Sequence, residues 1–209
     1  MRYHVISKDE EAASAASEAL AERGYAVSED YDDADVLVVL GGDGSILYAA
    51  REYDDPTILP VRTGTSKGHQ TSLDEADLAA AVETIETGEA GATYHVERHR
   101  ELVAESDEVD LPPDYAALND VCLHHREPTM AAEFAVEIRA DGRTREFPEL
   151  IGDGLVAATP FGSSAYFRSI TGTTFERGLG VAFNNVHWPE DAPEYVRLPA
   201  DATVTVHVT

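Results

Sequence analysis

The stretch that decides the fold is VLVVLGGDGSILYAA, which runs from Val36 to Ala50. Five apolar residues lead into two glycines, an aspartate and a third glycine, and apolar residues then return at helical spacing. A short apolar run bounded by glycines is typical of a buried strand, and the later spacing predicts a helix from about Gly44 to Tyr53. The pattern therefore predicts a strand, a tight loop and a helix, with a carboxylate in the loop.

The sequence on both sides of this stretch repeats the same alternation up to about residue 90. Strand-like apolar runs alternate with helical patterns: the runs are YHVIS, VLVVL and TILPVR, and the helices are predicted near Asp9 to Arg23, Gly44 to Tyr53 and Asp74 to Gly88. Strands that alternate with helices form a parallel sheet covered by helices, because parallel strands need a crossover connection. We therefore predict a small α/β domain over residues 1–90 that carries the glycine loop.

From about Ala92 the pattern changes to one typical of strands. The segments with this character are TYHVERHRELVAE, YAALNDVCLHH, AAEFAVEIRA, REFPELIGDGLVAATP, LGVAFNNV and TVTVHV. In this half, SSAYFRSI is the segment with a helical pattern. We therefore predict a β-rich domain over residues 91–209, after the α/β domain.

The composition is strongly acidic. Asp and Glu number 40 against 15 Lys and Arg, which gives a formal net charge of −25, and the two lysines are Lys8 and Lys67. This balance argues against nucleic acid as a partner. It suits a cytosol very rich in salt, where the Debye length falls to about 3 Å at 1 M and self-repulsion is screened. An ordinary acidic enzyme is the alternative.

The location follows from the cysteine count and from the absence of targeting patterns. Cys122 is the single cysteine, which excludes a disulfide framework and a cysteine zinc site. The N-terminal residues lack a basic end followed by an apolar core, and no apolar run approaches 18 residues. We therefore expect a cytoplasmic protein that does not bind membranes.

The glycine loop fits neither of two common phosphate-binding patterns. It lacks the G-x-x-x-x-G-K-[ST] spacing, and Leu47 stands where a dinucleotide fingerprint has its third glycine. Backbone N–H groups at the end of a parallel strand can still hold a phosphate. Asp43 would repel that phosphate unless it accepts a proton from a hydroxyl or holds a metal ion. The residues alone leave open a further interpretation, in which Asp43 only caps the helix.

Three motifs resemble those of a known family. GGDGS, from Gly41, resembles the GGDG[TS] signature that NAD kinases share with diacylglycerol kinases, sphingosine kinases and phosphofructokinases. ALNDVCLHH, Ala117 to His125, is similar to the NAD kinase segment with an Asn-Glu pair, and GDGLVAATPFGSSAYFRSITG, Gly152 to Gly172, is similar to that family's D-G-x(4)-T-P-T-G-S-T-A-Y stretch. The order and rough spacing also agree, so the chain is identified as a member of the NAD kinase family.

The resemblance implies a fold, an activity and partners. It implies a nucleotide site between the two domains and phosphorylation of the adenosine 2′-hydroxyl of NAD to give NADP. The phosphoryl donor would be ATP or another donor, with Mg²⁺ or Mn²⁺ accompanying ATP. The resemblance also implies a homo-oligomer, either a dimer or a tetramer.

The resemblance also assigns roles to residues. Asp43 would receive the proton of the hydroxyl, a role that suits phosphoryl transfer, which needs alignment, charge neutralisation and a carboxylate at the nucleophile. The phosphate loop would be shaped by Gly41, Gly42 and Gly44, with the hydroxyl of Ser45. Asn119 would read adenine or ribose, and Asp120, where the family usually has Glu, would accept from a ribose hydroxyl. Further positions that match the dinucleotide site are Asp153, Gly154, Thr159, Ser164, Ala165, Tyr166 and Ser169.

The chain departs from the family pattern at several places. Phe161 replaces a hydroxyl residue, which removes a hydrogen bond and adds an aromatic face. The loop Arg62 to Leu73 retains little of the N-x-G-x-L-G-F-L segment beyond Gly68, and Lys67 there is either a phosphate ligand or a solvated loop lysine. The family pattern continues with more strands after Thr209, so we expect a β-rich domain shortened at its C-terminal end.

Two alternatives to an NAD kinase remain open. The first is an NAD(P)-binding regulator that has lost phosphoryl transfer, which the altered loop would permit. The second is a kinase of a lipid or sugar hydroxyl. The Asn119 segment and the Gly152 to Tyr166 segment weigh against the second alternative, and no basic or apolar membrane-facing patch supports a lipid substrate.

Overall fold

The computed structural model describes residues 1–209 with the exception of Thr65, Lys67, His69, Ser72, Pro113, Asp114 and Pro128. The chain divides into two compact units, Met1–Arg98 and His99–Thr209. Across the described residues, no helix is both long and apolar enough to span a membrane.

The first unit contains a parallel sheet. Its strands, within the described part of the unit, are β1 (Arg2–Ser7), β2 (Ala26–Val27), β3 (Val36–Gly41), β4 (Ile58–Arg62) and β5 (Leu73–Asp74). They lie in the order β2-β1-β3-β4-β5, and each pair of neighbours is parallel. The strand that precedes the glycine loop, β3, therefore lies in the middle of the sheet.

Helices cover both faces of this sheet. They are α1 (Glu10–Glu22), α2 (Asp43–Glu52) and α3 (Leu78–Thr87). Leu20 of α1 and Val82 of α3 pack in one buried cluster with Val38 of β3, whereas Ala49 of α2 packs on the other face with Leu37. Side chains of a strand alternate between the faces of the sheet, so a strand covered on both faces is apolar without interruption. This explains why all five residues of the run VLVVL are apolar.

The second unit is built from antiparallel strands. Where the structure describes this unit, its strands are β6 (Leu102–Val103), β7 (Ala116–Ala117), β8 (Asp120–His124), β9 (Ala132–Ala140), β10 (Arg143–Gly152), β11 (Gly154–Ala158), β12 (Leu179–Asn184), β13 (Tyr195–Leu198) and β14 (Thr203–Val208). They form sheets of order β10-β9-β14, β13-β12-β11-β8 and β6-β7. A short helix, α4 (Tyr166–Thr171), follows β11.

The core of the second unit lies between its two larger sheets. Phe134 and Val136 of β9 pack there with Phe183 of β12, and the rings of Phe147 and Phe183 lie 5.1 Å apart. The opposite face of the four-stranded sheet packs against Phe167 of α4. Burial of each such side chain contributes about 1.5–3 kcal/mol relative to exposure, so both faces of this sheet stabilise the unit.

The fold class predicted from the sequence, a parallel α/β part followed by a β-rich part, is confirmed, but one predicted element is wrong. The strand expected over TYHVERHRELVAE is reduced to Leu102–Val103. Apart from an isolated bridge between Ala90 and Tyr94, the preceding residues pair with no strand among the described residues, and Val96, whose alternation suggested a strand, is 67% exposed. The strand-like segment REFPELIGDGLVAATP forms two strands, β10 and β11, separated by Asp153.

The break between β10 and β11 depends on Gly154. Its φ is +125°, a backbone conformation that residues with a side chain rarely adopt. A Cβ at this position would also stand 2.8 Å from the carbonyl carbon of Leu123 on the neighbouring strand. The Asp-Gly pair therefore marks a turn that only glycine permits at its second position.

Candidate functional site

The glycine loop joins the end of β3 to the start of α2. Gly41 ends the strand, Gly42 is the N-cap residue, and Asp43 is the first residue of the helix. The N-cap makes no side-chain hydrogen bond. A carboxylate in the first turn interacts favourably with the helix dipole. Ser45 lies in the same turn, and its N–H donates to the carbonyl oxygen of Gly42 at 2.8 Å.

The carboxylate of Asp43 contacts a different loop rather than its own helix. Its Oδ1 accepts a hydrogen bond of 2.9 Å from the backbone N–H of Gln70, which lies between β4 and β5. The side chain is half-buried. The interpretation of Asp43 as a helix cap therefore finds no support, because its carboxylate is held by a segment 27 residues further along the chain.

The loop Arg62 to Leu73 packs directly on the glycine loop. Ser66 Oγ accepts from the N–H of Gly68 at 3.2 Å, and it lies where a Cβ at Gly42 would stand. Gly68 lies against Asp43: a Cβ there would be 2.5 Å from Asp43 Oδ1 and 2.9 Å from Asp43 N. The loop that departs most from the family pattern is therefore the one that positions Asp43.

Both ends of this loop are anchored. Arg62, the first residue of the loop, forms an ion pair of 2.9 Å with Asp74, which follows its last residue. Near the second end, Thr71 is buried at 2% exposure. Lys67, predicted as a phosphate ligand, lies outside the described residues. Sequence reasoning missed Ser66, Gln70 and Thr71, because a backbone N–H and a buried hydroxyl leave no pattern in a single sequence.

In the second unit, Asn119 and Thr159 lie side by side. The N–H of Thr159 donates to the carbonyl oxygen of Asn119 at 2.9 Å. The hydroxyl of Thr159 donates to the Leu118 carbonyl oxygen, and it accepts from the N–H of Gly162 at 3.1 Å. Thr159 is buried, so its hydroxyl holds the Asn119 segment against the turn after β11.

Asp120 begins β8 and lies in a partly dehydrated environment. Burial raises the pKa of its carboxyl, and the Sγ of Cys122 donates to its Oδ1 at 3.3 Å. Desolvation of the sulfur, followed by the neighbouring carboxylate, raises the pKa of the Cys122 thiol to about 12. The thiol therefore stays protonated at neutral pH and serves as a hydrogen-bond donor to Asp120.

Asp153 and Tyr166 lie among polar side chains from neighbouring strands. Asp153 Oδ2 accepts from the amide of Asn185 at 2.6 Å, and its Oδ1 is 3.7 Å from Nδ1 of His125. The ring of Tyr166 stacks on His124, with centroids 5.6 Å apart and planes 17° apart, and its phenol oxygen accepts from Asn184 at 3.2 Å. Sequence reasoning did not identify the two asparagines as part of this group.

The remaining predicted residues lie in α4 or just before it. Ser164 is half-buried and Ala165 is exposed. Ser169 is exposed, and its hydroxyl donates to the carbonyl oxygen of Tyr166 at 2.7 Å. Phe161 is 6% exposed and meets the ring of His99 edge-on at 5.4 Å. The aromatic face expected at Phe161 is therefore packed inside the unit.

Comparison with known proteins finds a family that the chain resembles. A family model of the ATP-NAD kinase N-terminal domain matches residues 1–90. The NAD kinase of Brucella melitensis is 36% identical over 180 residues, 81% of this chain and 61% of that protein. The NAD kinase of Halorubrum lacusprofundi is 33% identical over 177 residues, 84% of this chain and 62% of that protein. Over most of its length the chain is similar to NAD kinases.

The chain spans only part of the length of these NAD kinases. Against the NAD kinase of Methanothermobacter thermautotrophicus, 37% identical over 142 residues, the match covers 67% of this chain and 46% of that protein. Two solved structures share the fold over the whole chain. An NAD kinase from Archaeoglobus fulgidus in complex with ATP has a TM-score of 0.77 at 22% identity, with 81% of that chain covered. A yeast NADH kinase complexed with NADH has a TM-score of 0.73 at 18% identity, with 72% covered.

Proposed function

We propose that the protein is a kinase that transfers a phosphoryl group from ATP or another donor to the adenosine 2′-hydroxyl of NAD, which gives NADP. The observation that carries this proposal is the placement of Asp43 at the N-terminus of α2, where its carboxylate is held by Gln70 rather than used as a helix cap. Similarity to NAD kinases supports the choice of acceptor.

Asp43 acts in this proposal as the proton acceptor. The ribose oxygen forms a bond to the terminal phosphorus of the donor as the bond between that phosphorus and the leaving oxygen breaks. The hydroxyl proton passes to the Asp43 carboxylate, and ADP leaves when ATP is the donor. Because phosphoryl transfer depends mainly on alignment, the hydrogen bond from Gln70 contributes by fixing the direction of the carboxylate.

In this proposal the glycine loop binds the phosphates. Gly41 and Gly42 precede α2 and Gly44 lies in its first turn, where all three offer backbone N–H groups, and Ser45 adds a hydroxyl. Lys67 would supply positive charge in the adjacent loop. Among the described residues, no group of three or more His, Cys, Asp or Glu side chains could hold a metal ion. We propose that Mg²⁺ or Mn²⁺ would enter with ATP, bound mainly to its phosphates, where it would neutralise charge.

The second unit supplies the proposed dinucleotide contacts. The Asn119 amide both donates and accepts, which suits an adenine or ribose edge. Asp120 accepts from a ribose hydroxyl, and its raised pKa is consistent with a carboxylate that loses water around it. The Asp153 and Tyr166 group offers a carboxylate and an aromatic face, and Thr159 shapes the segment that carries Asn119.

The domain boundary, the cellular location and the oligomeric state are also proposals. We propose a domain boundary near residue 90, a cytoplasmic location and assembly into a homo-oligomer. The acidic composition supports a protein that works in concentrated salt, because its net charge of −25 requires screening.

The test is formation of NADP by the purified protein. With NAD, ATP and Mg²⁺ in molar KCl, we expect NADP to accumulate, as measured by chromatography or by a coupled NADP-specific dehydrogenase. Binding of NAD without turnover would support the NAD(P)-binding regulator instead. Failure to bind NAD at all would refute both.

The role of Asp43 is tested with Asp43→Asn. This variant keeps the shape of the side chain but removes the proton acceptor, so we expect NADP formation to fall by about 10²-fold or more, with NAD affinity within about threefold. Asp9→Asn is the matched control, since Asp9 accepts from Glu11 N–H and Ala12 N–H at the start of α1. Its turnover should stay at the wild-type value. Unchanged turnover in Asp43→Asn would remove Asp43 from the mechanism.

A further inference from the structure

Thr71 carries a buried hydroxyl that has no partner. The residue lies in the loop between β4 and β5 and is 2% exposed. Its Oγ1 makes no hydrogen bond, a condition that it shares with His125 Nδ1 among the buried side-chain atoms of the described residues. Burial of a hydroxyl without a hydrogen bond is costly, so such a group in a native protein needs an explanation.

The position of Thr71 points to the explanation. The point where a Cβ at Gly68 would stand is 3.1 Å from Thr71 Oγ1. The same point is 2.5 Å from Asp43 Oδ1 and 2.9 Å from Asp43 N. The hydroxyl and the carboxylate therefore face one small space over Gly68, and this space stays open only because residue 68 has no side chain.

The Asp43 carboxylate can accept the hydroxyl in addition to Gln70. An ionised carboxylate has about four lone-pair sites, and Gln70 N–H occupies one of those on Oδ1. A hydrogen bond from a hydroxyl to a charged acceptor is stronger than one between neutral groups. A rotation about the Cα–Cβ bond of Thr71 re-aims its hydroxyl without any change in the backbone.

We propose that the Thr71 hydroxyl donates a hydrogen bond to the Asp43 carboxylate, and that Thr71 is a positioning residue for phosphoryl transfer. Gln70 and Thr71 then hold the carboxylate at two points from a single loop. The catalytic part of this proposal rests on the proposed kinase function, whereas the hydrogen bond itself does not. Thr71 acts through Asp43 and is not assigned any contact with NAD or ATP.

The catalytic test uses Thr71→Val and Thr71→Ser. Valine keeps the shape and removes the hydroxyl, so we expect kcat to fall about tenfold while KM for NAD and for ATP changes less than about twofold. Serine keeps the hydroxyl and should restore kcat to within about threefold of wild type. Thr84→Val is the matched control, because Thr84 is an exposed threonine of the same unit whose hydroxyl donates to the Ala80 carbonyl.

Three results of this test would overturn the proposal. Unchanged kcat in Thr71→Val would show that the hydroxyl does not position Asp43. A rise in KM with unchanged kcat would show that Thr71 contacts a substrate. A Thr71→Ser variant as slow as Thr71→Val would show that packing, and not the hydroxyl, matters.

A second measurement tests the hydrogen bond without any activity. Chemical unfolding of the wild type, Thr71→Val, Asp43→Asn and the double variant forms a double-mutant cycle. We expect the two substitutions to be coupled, so that Thr71→Val costs less stability when Asp43 is already Asn. Additive effects would refute the hydrogen bond. If the wild type makes no NADP, the kinase proposal fails and the cycle alone decides the contact between Thr71 and Asp43.

Discussion

Replacement of Gly68 by alanine is expected to slow NADP formation by about two orders of magnitude without unfolding the protein. The added Cβ would stand 2.5 Å from Asp43 Oδ1, whereas ordinary contact begins at 3.4 Å. The carboxylate must therefore move by about 1 Å, a displacement that costs on the order of 10²-fold in rate when it affects a reacting group. The same Cβ would stand 2.9 Å from Asp43 N, so the start of α2 must shift slightly as well.

The assay compares Gly68→Ala with Gly64→Ala, a change in the same loop. Among the described residues, nothing lies within 4 Å of where a Cβ at Gly64 would stand, so this control should keep kcat within about twofold of wild type. Turnover is measured as NADP formed in molar KCl, NAD affinity by calorimetry, and folding by circular dichroism. Gly68→Ala with a kcat within threefold of wild type would refute the reasoning, because the carboxylate would then tolerate displacement.

Two other expectations concern the thiol and the surface charge. Asp120→Asn should speed the alkylation of Cys122 by iodoacetamide at pH 8. The Asp120 carboxylate contributes to the thiol pKa of about 12, so its removal lowers that pKa. An unchanged alkylation rate would mean that desolvation alone raises the thiol pKa. The denaturation midpoint should rise as KCl increases from 0.1 M to above 1 M, since salt screens the repulsion of a net charge of −25. A falling midpoint would contradict the proposal that the protein works in concentrated salt.

Much of the fold was predictable because its signals are local. The uninterrupted apolar run before the glycine loop marks a strand buried on both faces, and β3 is covered by α1 and α3 on one face and α2 on the other. The error over residues 93–105 came from the same kind of signal. Alternation in TYHVERHRELVAE predicts a strand, but a strand also needs a neighbour, and most of this segment has none.

The candidate site was predictable in part. The resemblance supplied Asp43, Asn119, Asp120, Asp153 and Tyr166, and their assigned roles stay predictions. It did not supply Ser66, Gln70 or Thr71, which lie in the loop least similar to the family pattern. Ser66 and Thr71 contribute hydroxyls, and Gln70 contributes a backbone N–H. Because every residue other than proline has a backbone N–H, a single sequence does not show which one makes this contact.

The sequence by itself determined the periodicity of strands and helices, the place of the glycine loop, the acidic composition and the resemblance to NAD kinases. These properties are local or compositional, so they can be read one segment at a time. Only the tertiary structure decided that Gln70 holds Asp43, that Thr71 is buried beside Gly68, and that His124 stacks on Tyr166. These contacts depend on where distant segments meet, because hydrogen bonds and stacking act over a few ångströms in space and not along the chain.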